Sequence, residues 1–128
     1  MAGKNVIHTE LAPAAVGPYS QAISANNFLF TSGQIPINPA TGKIDATTIE
    51  EQTEQVMNNL HHVLAQGGVA FDRVVKTTCF LADMNDFAAF NAVYAKYFPE
   101  NPPARSCVEV GALPMGAKVE VEVIALQG

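Results

Sequence analysis

"PPARSCVEVGALPMGAKVEVEVIAL", residues 102–126, decides how the fold of this chain is read. Two runs of alternating character, "ARSCVEV" (104–110) and "KVEVEVIAL" (118–126), flank "GALPMG", a turn with two glycines and a proline. Alternation at every second residue is the period of a β-strand, whose successive side chains point to opposite faces. In the second run Val119, Val121, Val123 and Ala125 make one apolar side. Lys118, Glu120 and Glu122 point the other way, joined by Ile124 and Leu126. In the first run Arg105, Cys107 and Glu109 share a side opposite Ser106, Val108 and Val110. If the turn pairs the two strands as a hairpin, Glu120 falls near Arg105 and Cys107.

Upstream lie two helical patterns and three strand patterns. "NDFAAFNAVYAKYF" (85–98) reads as a helix: Asn85 or Asp86 caps its start, Phe87, Phe90, Val93, Tyr94, Tyr97 and Phe98 supply apolar bulk, and Pro99 stops it. "RVVKTTCFLADM" (73–84) reads as a strand with Thr77, Cys79 and Leu81 on one side and Phe80 on the other. Residues 48–66 give a clear amphipathic helix, with Ile49, Val56, Met57, Leu60, Val63 and Leu64 on one face. Thr48 with Glu51 fits a capping box, Thr47 with Glu50 is the alternative register, and Gly67-Gly68 ends the helix. "NFLFTSGQIP" predicts a strand over about 27–35, "INPATGKI" turns after it, and "NVIHTE" is a short first strand at 5–10. The intervening "LAPAAVGPYSQA" has two prolines and a glycine and reads as a loop.

The order predicts one α+β domain over residues 1–128, a mixed sheet with two helices on one face. The other sheet face is part polar and part apolar, whereas a face left to water is more uniformly polar. That mixture points to burial against other copies, in a homo-oligomer, with the Arg105–Cys107 side read as part of this face.

Composition narrows the function. The formal net charge is −5 and no run of Lys or Arg occurs, which argues against a nucleic-acid partner. Cys79 and Cys107 have no C-x-x-C spacing and fall inside strand patterns, so reduced thiols in a cytoplasmic setting are expected. The N-terminus lacks the apolar run of a secretion signal and no segment is long enough to span a membrane. No metal motif exists: His61 and His62 are adjacent on a helix and point in different directions, and His8 stands apart.

Few residues remain to carry chemistry. The Arg105 guanidinium, stiffened by Pro102-Pro103, matches a carboxylate or phosphate with two hydrogen bonds, although a lone strand arginine more commonly forms a salt bridge. Glu120 suits a general base toward water, or is a solvated glutamate paired with Arg105 or Lys118. Cys107 has no partner that would make it a nucleophile and reads as packing or pocket lining. Ser32-Gly33 ends a strand where a glycine admits close approach to the backbone, or marks a bulge. Tyr19, on a stiff loop, caps a pocket or packs over the sheet.

Four segments together resemble the reactive-intermediate (enamine/imine) deaminase family of RidA/YjgF type. They are "APAAVGPYSQA" (12–22), "FTSGQIPINPATG" (30–42), "VVKTTCFLADMNDFAAFNAVYAKYF" (74–98) and the opening stretch, in unbroken order over almost the whole chain. The resemblance implies a chorismate-mutase-like fold, a homotrimer built around the sheet face that lacks helices, and sites in clefts between subunits. It implies hydrolysis of 2-imino acids, formed from enamines such as 2-aminoacrylate and 2-aminocrotonate, to 2-oxo acids and ammonia, without metal or cofactor. By the same resemblance Arg105 clamps the substrate carboxylate and Glu120 orients the attacking water. Tyr19, Cys107, Ser32, Gly33 and Asn91 line the pocket. The rival readings are a non-catalytic trimer that binds small carboxylic acids, a ribonuclease or translation inhibitor, and a purely structural assembly protein.

Overall fold

The computed structural model of the chain describes residues 3–128. Six strands form one mixed sheet: β1 (Asn5–Ile7), β2 (Ala22–Ala25), β3 (Phe28–Thr31), β4 (Val74–Leu81), β5 (Ala104–Glu109) and β6 (Val119–Leu126), in the spatial order β1-β2-β3-β6-β4-β5. Two helices, α1 (Ile49–Gln66) and α2 (Phe87–Tyr94), cover one face of it. Among the described residues no helix is long and apolar enough to cross a membrane.

The α1 pattern is realised as its sequence suggests. Val56, Met57, Leu60, Val63 and Leu64 are fully buried against Val119, Val121, Val123 and Ala125 of β6. Thr48 is the N-cap: its hydroxyl accepts from the Glu51 N–H and the Glu51 carboxylate accepts from the Thr48 N–H, so the Thr48 register of the capping box is the one used. Thr48→Ala is expected to lower the unfolding free energy by about 1 kcal/mol, read from urea titrations at matched protein concentration.

The last two strands do not form a hairpin. β6 inserts between β3 and β4, antiparallel to both, while β5 sits at the sheet edge, parallel to β4. The reason is local and tertiary together. Pro114–Gly116 makes a 3-10 turn with Met115 at φ 58°, and this turn carries the chain across β4 instead of reversing it beside β5. α2 links β4 to β5 as a parallel crossover, and an extended run of eight residues on β6 buries more apolar surface in the sheet centre than at its edge.

The first strands also differ from expectation. Residues 22–25, of which Ala22 ends the expected loop and Ile23–Ala25 fall in no expected element, form β2, which pairs with β3 through a two-residue turn at Asn26-Asn27. Both asparagines have positive φ, 50° and 65°, as a type I′ hairpin requires. β1 stops at Ile7 and β3 at Thr31, both short of the expected ends. α2 proper is Phe87–Tyr94, flanked by 3-10 turns at Met84–Asp86 and Ala95–Tyr97. Neither Asn85 nor Asp86 caps α2 by its side chain; Asp83 caps the preceding 3-10 turn, accepting from the Asn85 N–H.

Register settles which side chains share a face. Arg105 is opposite Thr77, which is opposite Val123, and Cys107, Cys79 and Val121 form the next row. Val121, Val123, Thr77 and Cys79 are buried under the helices, so Arg105 and Cys107 face the helices and not the uncovered side. Glu120, Phe80 and Val108 make a row on the uncovered side. Phe28, Phe30, Ile23, Ile124 and Leu126 continue it, with Phe28 and Phe30 exposed in the single chain.

Candidate active site

The two residues with the strongest chemical claim therefore sit on opposite faces of one sheet, separated by the width of β4. Each has its own cavity.

Arg105 borders a cavity of about 340 Å³ on the helix side, with Asn91, Tyr94, Phe98 and Pro103. Its Nη1 donates to the Asn91 Oδ1 at 2.7 Å. The guanidinium carbon lies 4.9 Å from the centre of the Tyr94 ring and 5.4 Å from that of Phe87. Phe87, Asn91 and Tyr94 are spaced four and three apart, so one face of α2 presents all three. Among the described residues no carboxylate lies within 4.0 Å of Arg105; the ion pairs there are His8–Glu10 and Lys96–Glu54. The salt-bridge reading of this arginine is thus unsupported within one chain.

Cys107, two residues on, shares that face but is not among the lining residues of the cavity. Burial pushes its thiol up, and the Arg105 charge only partly offsets this. Cys79, its neighbour across the β4–β5 ladder, is pushed up to about 12 by burial. Neither environment produces a thiolate at neutral pH, and Cys107 packs against the buried core, so of the two sequence readings it is packing, and not pocket lining, that the single chain supports. Glu109, for which the sequence suggests no role, accepts a hydrogen bond at 2.7 Å from the backbone N–H of Met84. It pins the turn that starts the approach to α2.

Glu120 borders the second cavity, about 490 Å³, with Tyr19, Ser32, Gly33, Ile35 and Met115 among its lining residues. The expected pocket residues Tyr19, Ser32, Gly33 and Glu120 are brought together here, whereas Arg105 and Asn91 are brought together on the other face. Burial raises the Glu120 carboxyl above the ordinary carboxylate value, and the negative charge of Glu122 raises it further.

Gly33 lies directly against the Glu120 side chain. A Cβ added there would come within 2.8 Å of the Glu120 Cδ. Gly33→Ala is expected to displace the Glu120 carboxylate and lower turnover about ten- to a hundredfold, with the melting temperature nearly unchanged, because the atoms that must move end a flexible side chain. Kinetics alongside thermal unfolding check this.

The surrounding loops are held by buried amides that carry no obvious sequence signal. Gln21 accepts from the Thr9 N–H and donates to the Thr9 and Pro13 carbonyls, which fixes the segment leading to Tyr19. Asn59 of α1 donates to the Ile35 and Ile37 carbonyls and fixes the segment after Ser32-Gly33. Ser32 Oγ donates to the Ser20 carbonyl at 2.6 Å and ties the two segments together. Tyr19 itself is half exposed, with its hydroxyl accepting from the Val16 N–H at 3.4 Å.

Comparison with known proteins extends this picture. The family model described as Endoribonuclease L-PSP matches residues 9–127. Reactive Intermediate Deaminase A, chloroplastic, of Arabidopsis thaliana is 53% identical over 122 residues, covering 95% of this chain and 65% of that relative, so the chain spans just under two thirds of that protein. A RutC family protein of Pyrococcus horikoshii is also 53% identical, over 95% of this chain and 97% of its own length. Among solved structures, the Rid-family protein YyfA of Yersinia pestis superposes with a TM-score of 0.94 at 54% identity, covering 97% of this chain and 99% of that one. E. coli TdcF, solved with bound serine, superposes with a TM-score of 0.92 at 38% identity, covering 97% of this chain and 99% of that one.

Proposed function

The chain belongs to the endoribonuclease L-PSP family, the family of the reactive-intermediate deaminases of RidA/YjgF type, and from that premise we propose that it hydrolyses small 2-imino acids such as 2-iminobutanoate and 2-iminopropanoate. The observation that carries the reading is Arg105: a half-buried guanidinium, fixed by Asn91 and bordering a cavity, with no carboxylate partner among the described residues. A charged fork kept in that state suits an incoming carboxylate. The relative that holds serine adds that a ligand of amino-acid size fits this family's fold.

In this reading the site is shared between copies of the chain. Arg105 and Glu120 occupy opposite sheet faces, so one copy supplies Arg105, Asn91 and Cys107 and a neighbour supplies Glu120, Tyr19, Ser32 and Gly33. A homotrimer closed around the uncovered sheet face would bury Phe28, Phe30, Ile124 and Val108 and form three such clefts. The two free thiols fit a reducing compartment such as the cytoplasm.

The chemistry then follows from placement. The imine carbon is already electrophilic. Arg105 binds the carboxylate in ground and transition states alike, so it positions the carbon. Glu120 takes a proton from water as the oxygen adds to the C=N carbon, giving a tetrahedral carbinolamine. Glu120 hands that proton to the nitrogen, the hydroxyl proton follows it there as the C=O bond forms and the C–N bond breaks, and a 2-oxo acid and ammonia leave. The raised Glu120 carboxyl makes a stronger base than an exposed glutamate.

A coupled assay tests this. Threonine dehydratase acting on threonine is expected to form 2-oxobutanoate faster when this protein is added; an unchanged rate overturns the deaminase reading. RNA cleavage, which the family's description names, is disfavoured by a net charge of −5 with no basic run.

A further inference from the structure

We infer that Phe87 and Tyr94 are positioning residues that hold the Arg105 guanidinium between two aromatic faces, so that it meets a carboxylate without first being ordered. The inference rests on the proposed role of Arg105 and goes one step behind it. Three contacts converge on a single side chain. The Tyr94 and Phe87 rings lie 4.9 Å and 5.4 Å from the guanidinium carbon, and Asn91 takes Nη1 at 2.7 Å. All three come from one face of α2, so they move as a unit.

Tyr94 is itself fixed. It is buried, its hydroxyl shares a 2.8 Å hydrogen bond with Thr77 Oγ1, and its ring packs on Phe90 and Phe98 at 5.4 Å and 4.8 Å. Thr77 is also the register partner of Arg105 on the adjacent strand, so Arg105 and its ring support are anchored at the same sheet position. Burial is the main cause that raises the Tyr94 phenol, which therefore stays neutral and keeps the ring uncharged beside the cation.

An arginine side chain free in solvent loses much rotamer freedom when it engages a ligand. Here the ring contacts and the amide have removed that freedom beforehand, which is how preorganisation raises affinity. The rings attract the cation while offering it no hydrogen bond, so the fork toward the cavity stays open to an oxyanion. The sequence alone hides this: Phe87 and Tyr94 look like ordinary apolar bulk on a helix.

The test compares two probes, 2-oxobutanoate and its neutral amide, 2-oxobutanamide, by calorimetric affinity on the assembled protein. The ratio of the two affinities measures recognition of the carboxylate alone, and a loss of general stability would weaken both probes together. Phe87→Leu and Tyr94→Leu are each expected to cut the ratio about tenfold and raise KM more than they lower kcat. Tyr94→Phe, which keeps the ring and loses the Thr77 bond, is expected to keep a near-wild-type ratio. Arg105→Ala is the control. If it leaves the ratio unchanged, the carboxylate role of Arg105 fails. If it collapses the ratio while Phe87→Leu and Tyr94→Leu leave it intact, the ring clamp is overturned. A Tyr94→Phe variant as defective as Tyr94→Leu also overturns it, and Phe87→Leu decides the matter if Tyr94→Leu does not fold.

Discussion

Replacing Arg105 with alanine is expected to lower kcat/KM for 2-iminobutanoate about a thousandfold while the chain stays folded. An arginine–carboxylate pair makes two charge-assisted hydrogen bonds, and losing both removes roughly 4 kcal/mol of binding, about three decades in affinity. The carboxylate does not change during the reaction, so most of the loss falls on KM, with a smaller loss in kcat because the imine carbon is no longer held against the water. The fold tolerates the change. Arg105 gives up one hydrogen bond to Asn91 and two ring contacts, and no ion pair among the described residues. Arg105→Lys should fall between, because an ammonium lacks the planar fork. Steady-state kinetics with circular dichroism of the variant check this, and wild-type turnover in Arg105→Ala would remove Arg105 from the site.

Glu120→Gln should lower kcat by about a thousandfold with KM little changed. A positioned general base contributes roughly two to four decades, and the amide keeps the shape that fits against Gly33 but cannot accept the proton. The pH profile gives an independent sign. The carboxylate is the active form, so the rate falls as pH drops through the Glu120 pKa, which burial and Glu122 place above the ordinary carboxylate value. Glu122→Gln removes one of the two causes and should move the acid limb to lower pH.

Stability runs the opposite way. A carboxyl raised in the folded state contributes stability below its unfolded pKa, and that contribution is lost as pH rises through the folded value. At neutral pH the charged Glu120 is therefore held at some cost to the fold, and Glu120→Gln should melt no lower than the parent protein. A variant that loses turnover and also melts well below the parent would point to a structural role instead.

How far the sequence alone reaches depends on the range of the interaction that decides each feature. The helix over 49–66 and its capping box are set by residues three and four apart, and they are legible in the sequence to within one residue, with Thr48 and Thr47 as the two cap registers between which the structure selects Thr48. The two faces of β6 are legible for the same reason, since Val119, Val121, Val123 and Ala125 recur with period two. The position of β6 in the sheet is not legible. "GALPMG" has the composition of a hairpin turn, and only the parallel docking of β5 by α2 rules the hairpin out.

That one difference reassigns the site. Alternation correctly places Arg105 with Cys107, but it cannot say which face is covered by helices. The register does, and it puts Arg105 under α2 and Glu120 on the uncovered side. The β2–β3 hairpin escapes notice because Asn26-Asn27 lacks the glycine that usually marks such a turn. Gln21 and Asn59 escape because a buried amide that ties down a loop is indistinguishable in sequence from an exposed one.

The central claim is that Arg105 of one copy works with Glu120 of another, and mixing two inactive variants tests it most directly. Arg105→Ala and Glu120→Gln chains, unfolded together in equal amounts and refolded, should regain activity that neither shows alone. In a cyclic assembly with one Arg105 and one Glu120 from neighbouring copies, about a quarter of the sites receive both intact residues. Recovery near a quarter of the wild-type rate is the predicted result; a refolded mixture no more active than the two variants refolded separately would contradict the shared site.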